Sequence, residues 1–109
     1  MAEETFTSKV VLALIVKDGQ FLLIRRKLPI FKVEWAFPGG IAKKNETEEE
    51  AVVREAKEEV GLDVKVVKKL FERKHPNTLV QVAYFHCIPT SKKRPEIGEK
   101  YEISEIEWV

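Results

Sequence analysis

The sequence predicts an α/β domain in which a mixed β-sheet packs against one central helix, and three observations carry that prediction. Apolar, β-branched runs lie on both sides of a single helical segment, that segment carries its own start and stop signals, and an Asp-Gly pair between the first two runs marks a tight hairpin. Strands that form hairpins and also cross over a helix belong in a mixed sheet. With 109 residues, 44% of them hydrophobic, the chain supplies one core and one domain. No linker, internal repeat or low-complexity stretch divides it.

Val10 to Val16 is the first apolar run, Asp18-Gly19 the turn, and Phe21 to Ile24 the second run. Leu28 to Lys32, carrying Pro29, interrupts the pattern, after which Trp35-Ala36-Phe37 reads as a short strand ended by a Pro38-Gly39-Gly40 turn. Thr47 followed by Glu50 is a capping-box start and Gly61 a stop just past the last turn, so the helix is predicted from Glu48 to Val60. Leu62 to Phe71 and Thr78 to Ile88 follow as strands. Pro89 to Lys100 is a polar loop, and Ile103 to Val109 is the last strand.

On the predicted helix Glu55, Glu58 and Glu59 sit at i, i+3 and i+4, so their carboxylates converge on one strip of surface. Val52, Val53, Ala56 and Val60 form an apolar stripe beside it. Three like charges at the edge of a buried stripe repel one another and call for a counter-charge, which a hard divalent cation supplies. Mg²⁺ suits an incomplete carboxylate cage because it keeps several waters and completes its shell with substrate phosphates. Glu48, Glu49 and Glu50 read instead as charges favoured by the helix dipole.

Gly40 is followed by Glu46, then Arg54-Glu55, apolar Ala56, Glu58-Glu59, Gly61 and apolar Leu62. Seven fixed identities and two apolar positions at set spacings arise by chance on the order of one time in a million. The segment resembles the Nudix box at every constrained position, and the order of hairpin, WAFPGG, box, two strands and EISEIEWV is similar to that family over nearly the whole chain. The resemblance implies a mixed sheet sandwiched by helices and hydrolysis of a pyrophosphate bond with Mg²⁺, or Mn²⁺ in its place. It assigns Glu55, Glu58 and Glu59 as metal ligands together with the carbonyl of Gly39. Gly40, Glu46, Arg54 and Gly61 become structural members of the box, with Arg54 also in reach of Glu58 at i+4.

Other positions carry over with alternatives attached. Arg25 and Arg26 end the second predicted strand, where relatives set an arginine against substrate phosphates, and Arg26 is either that residue or a solvated strand-end charge. Glu102, six residues before Trp108, matches the place of an additional metal-binding or base glutamate, with Glu96, Glu99 and Glu105 competing for the role. Trp35 and Phe37 either offer a face to a nucleobase or pack in the core. His75 and His86 lack partners at ligand spacing and are not proposed as ligands.

Two departures from the family stand out. Lys43-Lys44-Asn45 replaces the usual acidic residue, variable residue and glycine, and since Asn45 can take a left-handed conformation the loop is expected to survive. Lys43 thereby brings a positive charge near the phosphates. Typical members also continue past the last strand into a second helix, whereas this sequence ends at Trp108-Val109. The expectation is a fold without that helix in these residues: either a homodimer partner covers the exposed sheet face, or this is a trimmed domain, or the sequence continues past Val109.

The net charge of +1 gives no reason to expect nucleic-acid or membrane binding, and the partner expected is a small nucleotide. The single Cys87, in an apolar run, reads as a small buried hydrophobe. MAEETFTSK lacks the apolar core of a secretory signal, and a cytoplasmic protein is expected. On substrate the residues divide. Pro76, fifteen positions after Gly61, is similar to a mark of ADP-ribose pyrophosphatases, whereas AVVREAKEEVG with the Glu102-to-Trp108 spacing resembles the MutT-type triphosphatases. A catalytically silent nucleotide-binding or scaffold domain is the alternative from another class.

Overall fold

A computed structural model of the chain describes residues 6–30, 33–75 and 80–109. Among them are seven strands and one helix: β1 (Phe6–Lys17), β2 (Gln20–Ile30), β3 (Val33–Ala36), β4 (Gly39–Lys43), α1 (Glu48–Val60), β5 (Val64–Lys74), β6 (Gln81–Pro89) and β7 (Ile103–Trp108). β1 is the hub. It pairs parallel with β6 over Lys9 to Ile15, antiparallel with β4 as far as Leu12, and antiparallel with β2 only at Val16 and Lys17. β2 then diverges and takes β3 and β7 as antiparallel partners, while β5 edges the sheet beyond β6. The sheet is mixed, as expected.

Asp18 (φ 51°) and Gly19 (φ 75°) both turn left-handed, the geometry of the two-residue hairpin that Asp-Gly favours. Two expectations need correction. β2 does not stop before Pro29 but runs through it to Ile30, at a stretch where its register with β3 shifts and the missing N–H breaks no regular ladder. Gly39 and Gly40 are not a turn but the start of β4, because the backbone presses directly on β1: a Cβ on Gly39 would lie 2.1 Å from the carbonyl oxygen of Val11. A strand that close has no room for a side chain.

The helix occupies Glu48–Val60 as predicted, with Thr47 accepting from the Glu50 amide and the Glu50 carboxylate accepting from that of Thr47. Gly61 closes it at φ 68°. Its buried face consists of Ala51, Val52, Ala56, Glu59 and Val60, so the stripe is rotated from the expected one: Val53 is 37% exposed and Ala51 takes its place. The rotation carries Glu59 from the edge of the stripe into it. The apolar members pack on Val11, Ala13 and Ile15 of β1, Phe85 and Cys87 of β6, and Leu22, Ile24 and Ile103. Cys87 is buried there, its thiol pushed up to about 12 by that burial, as a small hydrophobe should be.

Four charges clip the start of the helix to the sheet. Glu48 meets Lys9 of β1 and Lys69 of β5, the latter at 2.8 Å, and Glu72 bridges the same two lysines at 3.2 and 2.7 Å. Glu48 is therefore an anchoring partner as well as a dipole charge. No helix is long and apolar enough to cross a membrane among the described residues.

Because the Thr47 hydroxyl satisfies an otherwise orphaned amide, Thr47→Ala is expected to lower stability by about 1 kcal/mol. Urea denaturation should show a lower midpoint at unchanged slope.

Candidate active site

Three pieces of chain converge at one end of the helix: the start of β4, the helix face bearing the glutamates, and the segment leading into β7. Glu59 lies at their junction. Only 2% exposed, it accepts a 2.8 Å hydrogen bond from the amide of Gly39 and faces the guanidinium of Arg26 at 3.4 Å. Burial pushes its carboxyl up to about 7, with Arg26 and the Gly39 amide pulling partly the other way. Arg26 also reaches the carbonyl of Gly39 at 3.4 Å, so arginine, glycine and glutamate form one bonded unit.

Glu55 faces the same space one helical turn earlier, and burial likewise raises its pKa above the ordinary carboxylate range. Gly40 is what admits it. A Cβ there would stand 2.7 Å from the Glu55 carboxylate. Arg54 braces the group by donating to Glu46 at 2.7 and 3.0 Å, to Glu55 at 2.9 Å and to Glu58 at 2.9 Å. Glu46, hydrogen-bonded by Arg54 and by the amide of Lys43, has its pKa lowered accordingly. The bracing role expected for Glu46 and Arg54 thus has a geometry: a fork that ties the β4–α1 loop to the helix and turns two glutamates into place.

The third piece brings Glu99. Its carboxylate and those of Glu55 and Glu59 can each place an oxygen within 4.8 Å of the others. These hard, negatively charged oxygens fit a divalent cation of the Mg²⁺ type, and burial, which opposes the ionisation of Glu55 and Glu59, is a cost that such a cation would offset. Of the expected ligands, Glu58 lies outside this trio, 44% exposed and held by Arg54. Glu102 lines the same cavity without joining the trio, while its carbonyl accepts from the amide of Lys27.

The cavity has a volume of about 660 Å³. Arg26, Gly39, Gly40, Arg54, Glu55, Glu58, Glu59 and Glu102 all line it, as does Lys43. Trp35 and Phe37 do not line it: both are half-buried, and Phe37 packs edge-on against Phe21 with ring centres 5.9 Å apart. The aromatic ring at the cavity is Tyr101, 74% exposed and donating to Glu99 at 3.2 Å. Sequence reasoning passed over Tyr101 and ranked Glu99 below Glu102. The spacing from Trp108 could not separate Glu96, Glu99 and Glu102 on the irregular segment from one another or from Glu105 in β7. Arg25, by contrast, is occupied across the sheet by Glu34 and Glu105, both at 3.1 Å.

Comparison with known proteins agrees with this geometry. The sequence profile of the NUDIX domain matches residues 6–109. The chain is 57% identical over 53 residues to an ADP-ribose pyrophosphatase of Methanocaldococcus jannaschii, a match covering 49% of this chain and 31% of that protein. It is 45% identical over 58 residues to an RNA pyrophosphohydrolase of Marinomonas sp., covering 53% and 34%. The chain therefore spans about a third of the length of these curated relatives. Its fold superposes on a MutT/nudix family protein from Enterococcus faecalis with a TM-score of 0.80 at 25% identity, covering 99% of this chain and 45% of that one. The chain belongs to the NUDIX family.

A raised folded-state pKa at Glu59 means the folded protein holds that proton more tightly than the unfolded chain. Its contribution is fully present below the ordinary value of 4.5 and is lost as pH rises towards about 7. In chelator, melting temperature is expected to fall over that window, and Glu59→Gln to flatten the slope.

Proposed function

We propose that this domain hydrolyses the phosphoric anhydride of a nucleoside diphosphate linked to a further group, with Mg²⁺ and with Mn²⁺ able to replace it, releasing a nucleoside monophosphate. The observation that carries this reading is the convergence of Glu55, Glu59 and Glu99 in a cavity that also holds Arg26 and Lys43. Acidic and basic groups in one cleft match a substrate that is itself anionic but binds through metal. The cation, when bound, would neutralise phosphoryl charge and lower the pKa of a coordinated water.

The chain's own residues supply the remainder. Glu55, Glu59 and Glu99 would hold the cation, with the Gly39 carbonyl directed towards Arg26 beside them. Arg26 would orient the phosphates, for which a planar guanidinium suits two oxygens at once. Glu102, exposed on the cavity wall, would take the proton of the attacking water. The water oxygen bonds to phosphorus, the bridging P–O bond breaks, and the leaving phosphate departs with the electron pair. Tyr101 offers an exposed ring on which a planar base could rest.

The M. jannaschii relative makes ADP-ribose the first substrate to try, since its 57% identity runs over 53 residues. Pro76 lies outside the described residues and adds nothing to that choice. A silent scaffold is disfavoured by Glu59: a domain that only holds a partner gains nothing from a buried carboxylate whose ionisation is opposed by burial.

Monophosphate release should be followed with Mg²⁺ on ADP-ribose, nucleoside triphosphates and 5′-triphosphorylated RNA. Glu55→Gln and Glu59→Gln are each expected to lower kcat at least about 100-fold, because even residues that merely orient ligands cost 10- to 100-fold. Turnover that survives both substitutions, or that persists in excess chelator, would refute the metal-dependent reading.

A further inference from the structure

Glu99 stands on a segment without regular secondary structure, yet it meets two helix carboxylates, buried Glu59 and half-buried Glu55, to within a few ångströms. Something fixes that segment. The last turn of any helix leaves carbonyls without intrahelical partners. Here two of them are satisfied from a distance: the amide of Glu96 donates to the carbonyl of Val60 and that of Gly98 to the carbonyl of Glu59, each at 2.9 Å. Between them Ile97 packs on the core. The strap is bonded to the same helical turn that carries Glu58 and Glu59.

Gly98 makes the approach feasible. A Cβ at that position would fall 1.8 Å from the carbonyl oxygen of Glu58 and 2.9 Å from its carbon, both backbone atoms that cannot swing aside. Any side chain must lift the strap off the helix and carry Glu99 with it. On the other side of Glu99, the Tyr101 hydroxyl donates to its carboxylate at 3.2 Å, and the amides of Glu102 and Ile103 both bond its carbonyl at 2.9 Å. Glu99 is thus gripped at the backbone from both directions and at the side chain from one.

We propose that Gly98 and the Tyr101 hydroxyl are positioning residues for Glu99: the glycine docks the strap on the helix terminus and the hydroxyl turns the carboxylate towards Glu55 and Glu59. This deepens the functional reading above and rests on it for the role of Glu99. The consequence is that the metal-holding group is assembled from two non-adjacent parts of the chain whose spacing is set by main-chain contact. An error of about 1 Å in such a placement can cost 100-fold in rate.

The test is a double-mutant cycle read in two ways, by Mn²⁺ titration calorimetry and by steady-state kinetics. Gly98→Ala is expected to weaken Mn²⁺ binding about 10-fold and to lower kcat about 100-fold at unchanged KM. Tyr101→Phe, which keeps the ring, should weaken Mn²⁺ binding by a smaller factor. Placed on a Glu99→Gln background, either substitution should have no further effect on Mn²⁺ binding beyond about 2-fold, because its influence on the metal runs through the missing carboxylate. Gly19→Ala, strained at φ 75° with nothing within 4 Å, serves as the control for loss of stability alone and should leave both readouts unchanged. If Gly98→Ala fails to fold, the Tyr101→Phe cycle decides.

Additive losses of Mn²⁺ binding on the Glu99→Gln background would overturn the proposal, as would Mn²⁺ binding that Glu99→Gln leaves intact. Wild-type protein that turns over none of the substrates, yet shows the expected non-additivity in Mn²⁺ binding, would sink the substrate assignment and uphold the positioning role.

Discussion

The buried contact between the Glu59 carboxylate and the Gly39 amide governs the geometry of this domain. It joins the penultimate residue of the helix to the first residue of β4, and each side of the joint depends on the other. Gly39 reaches the carboxylate only because its backbone lies against β1, where the oxygen of Val11 leaves no space for a Cβ. Glu59 is tolerated in the apolar stripe only because that amide and Arg26 take up its oxygens. Without the glycine the strand moves outward, and with it the carbonyl to which Arg26 donates.

Around that joint the site has a rigid side built on the helix and a second half fixed by main-chain contacts. On the rigid side, Arg54 ties the loop before the helix to Glu55 and Glu58 through a bidentate grip on Glu46, so these glutamates are held by charge as well as by the helix. The other half, Glu99, Tyr101 and Glu102, comes from an irregular segment anchored by its main chain. Tyr101 and Glu102, the exposed members of this second half, both line the cavity. Such a division suits a domain in which the bond broken is constant and the attached group varies.

What could be read from the sequence follows from where each signal resides. The helix and its caps were legible to the residue, since Thr47, Glu50 and Gly61 act through contacts local in sequence. The spacing of Glu46, Arg54 and the three helix glutamates likewise reflects one loop and one helix. Less legible were features created by tertiary contact. Gly39-Gly40 reads as a turn until β1 is seen beside it, and Val53 and Ala51 exchange places because the helix rolls to bury Glu59. Glu99 could not be told from Glu102 by counting back from Trp108, because the intervening chain turns on itself at Glu99 before entering β7. Trp35 and Phe37 looked suited to a base for want of any sign that a tyrosine further along would stand at the cavity.

The pairing of β1 and β2 has a kinetic corollary. Apart from their shared hairpin, both strands find their main neighbours far along the chain: Val11 lies beside Ala83, and Leu22 beside Trp108. Closing loops of that length before any reward is gained slows the search, and sheets dominated by such distant partners fold in milliseconds to seconds rather than microseconds. Until β7 arrives, β2 presents an open edge to other chains. The cleft, lined by β2, β4, the helix and the segment before β7, needs all of these together and is consequently among the last parts of the molecule to exist.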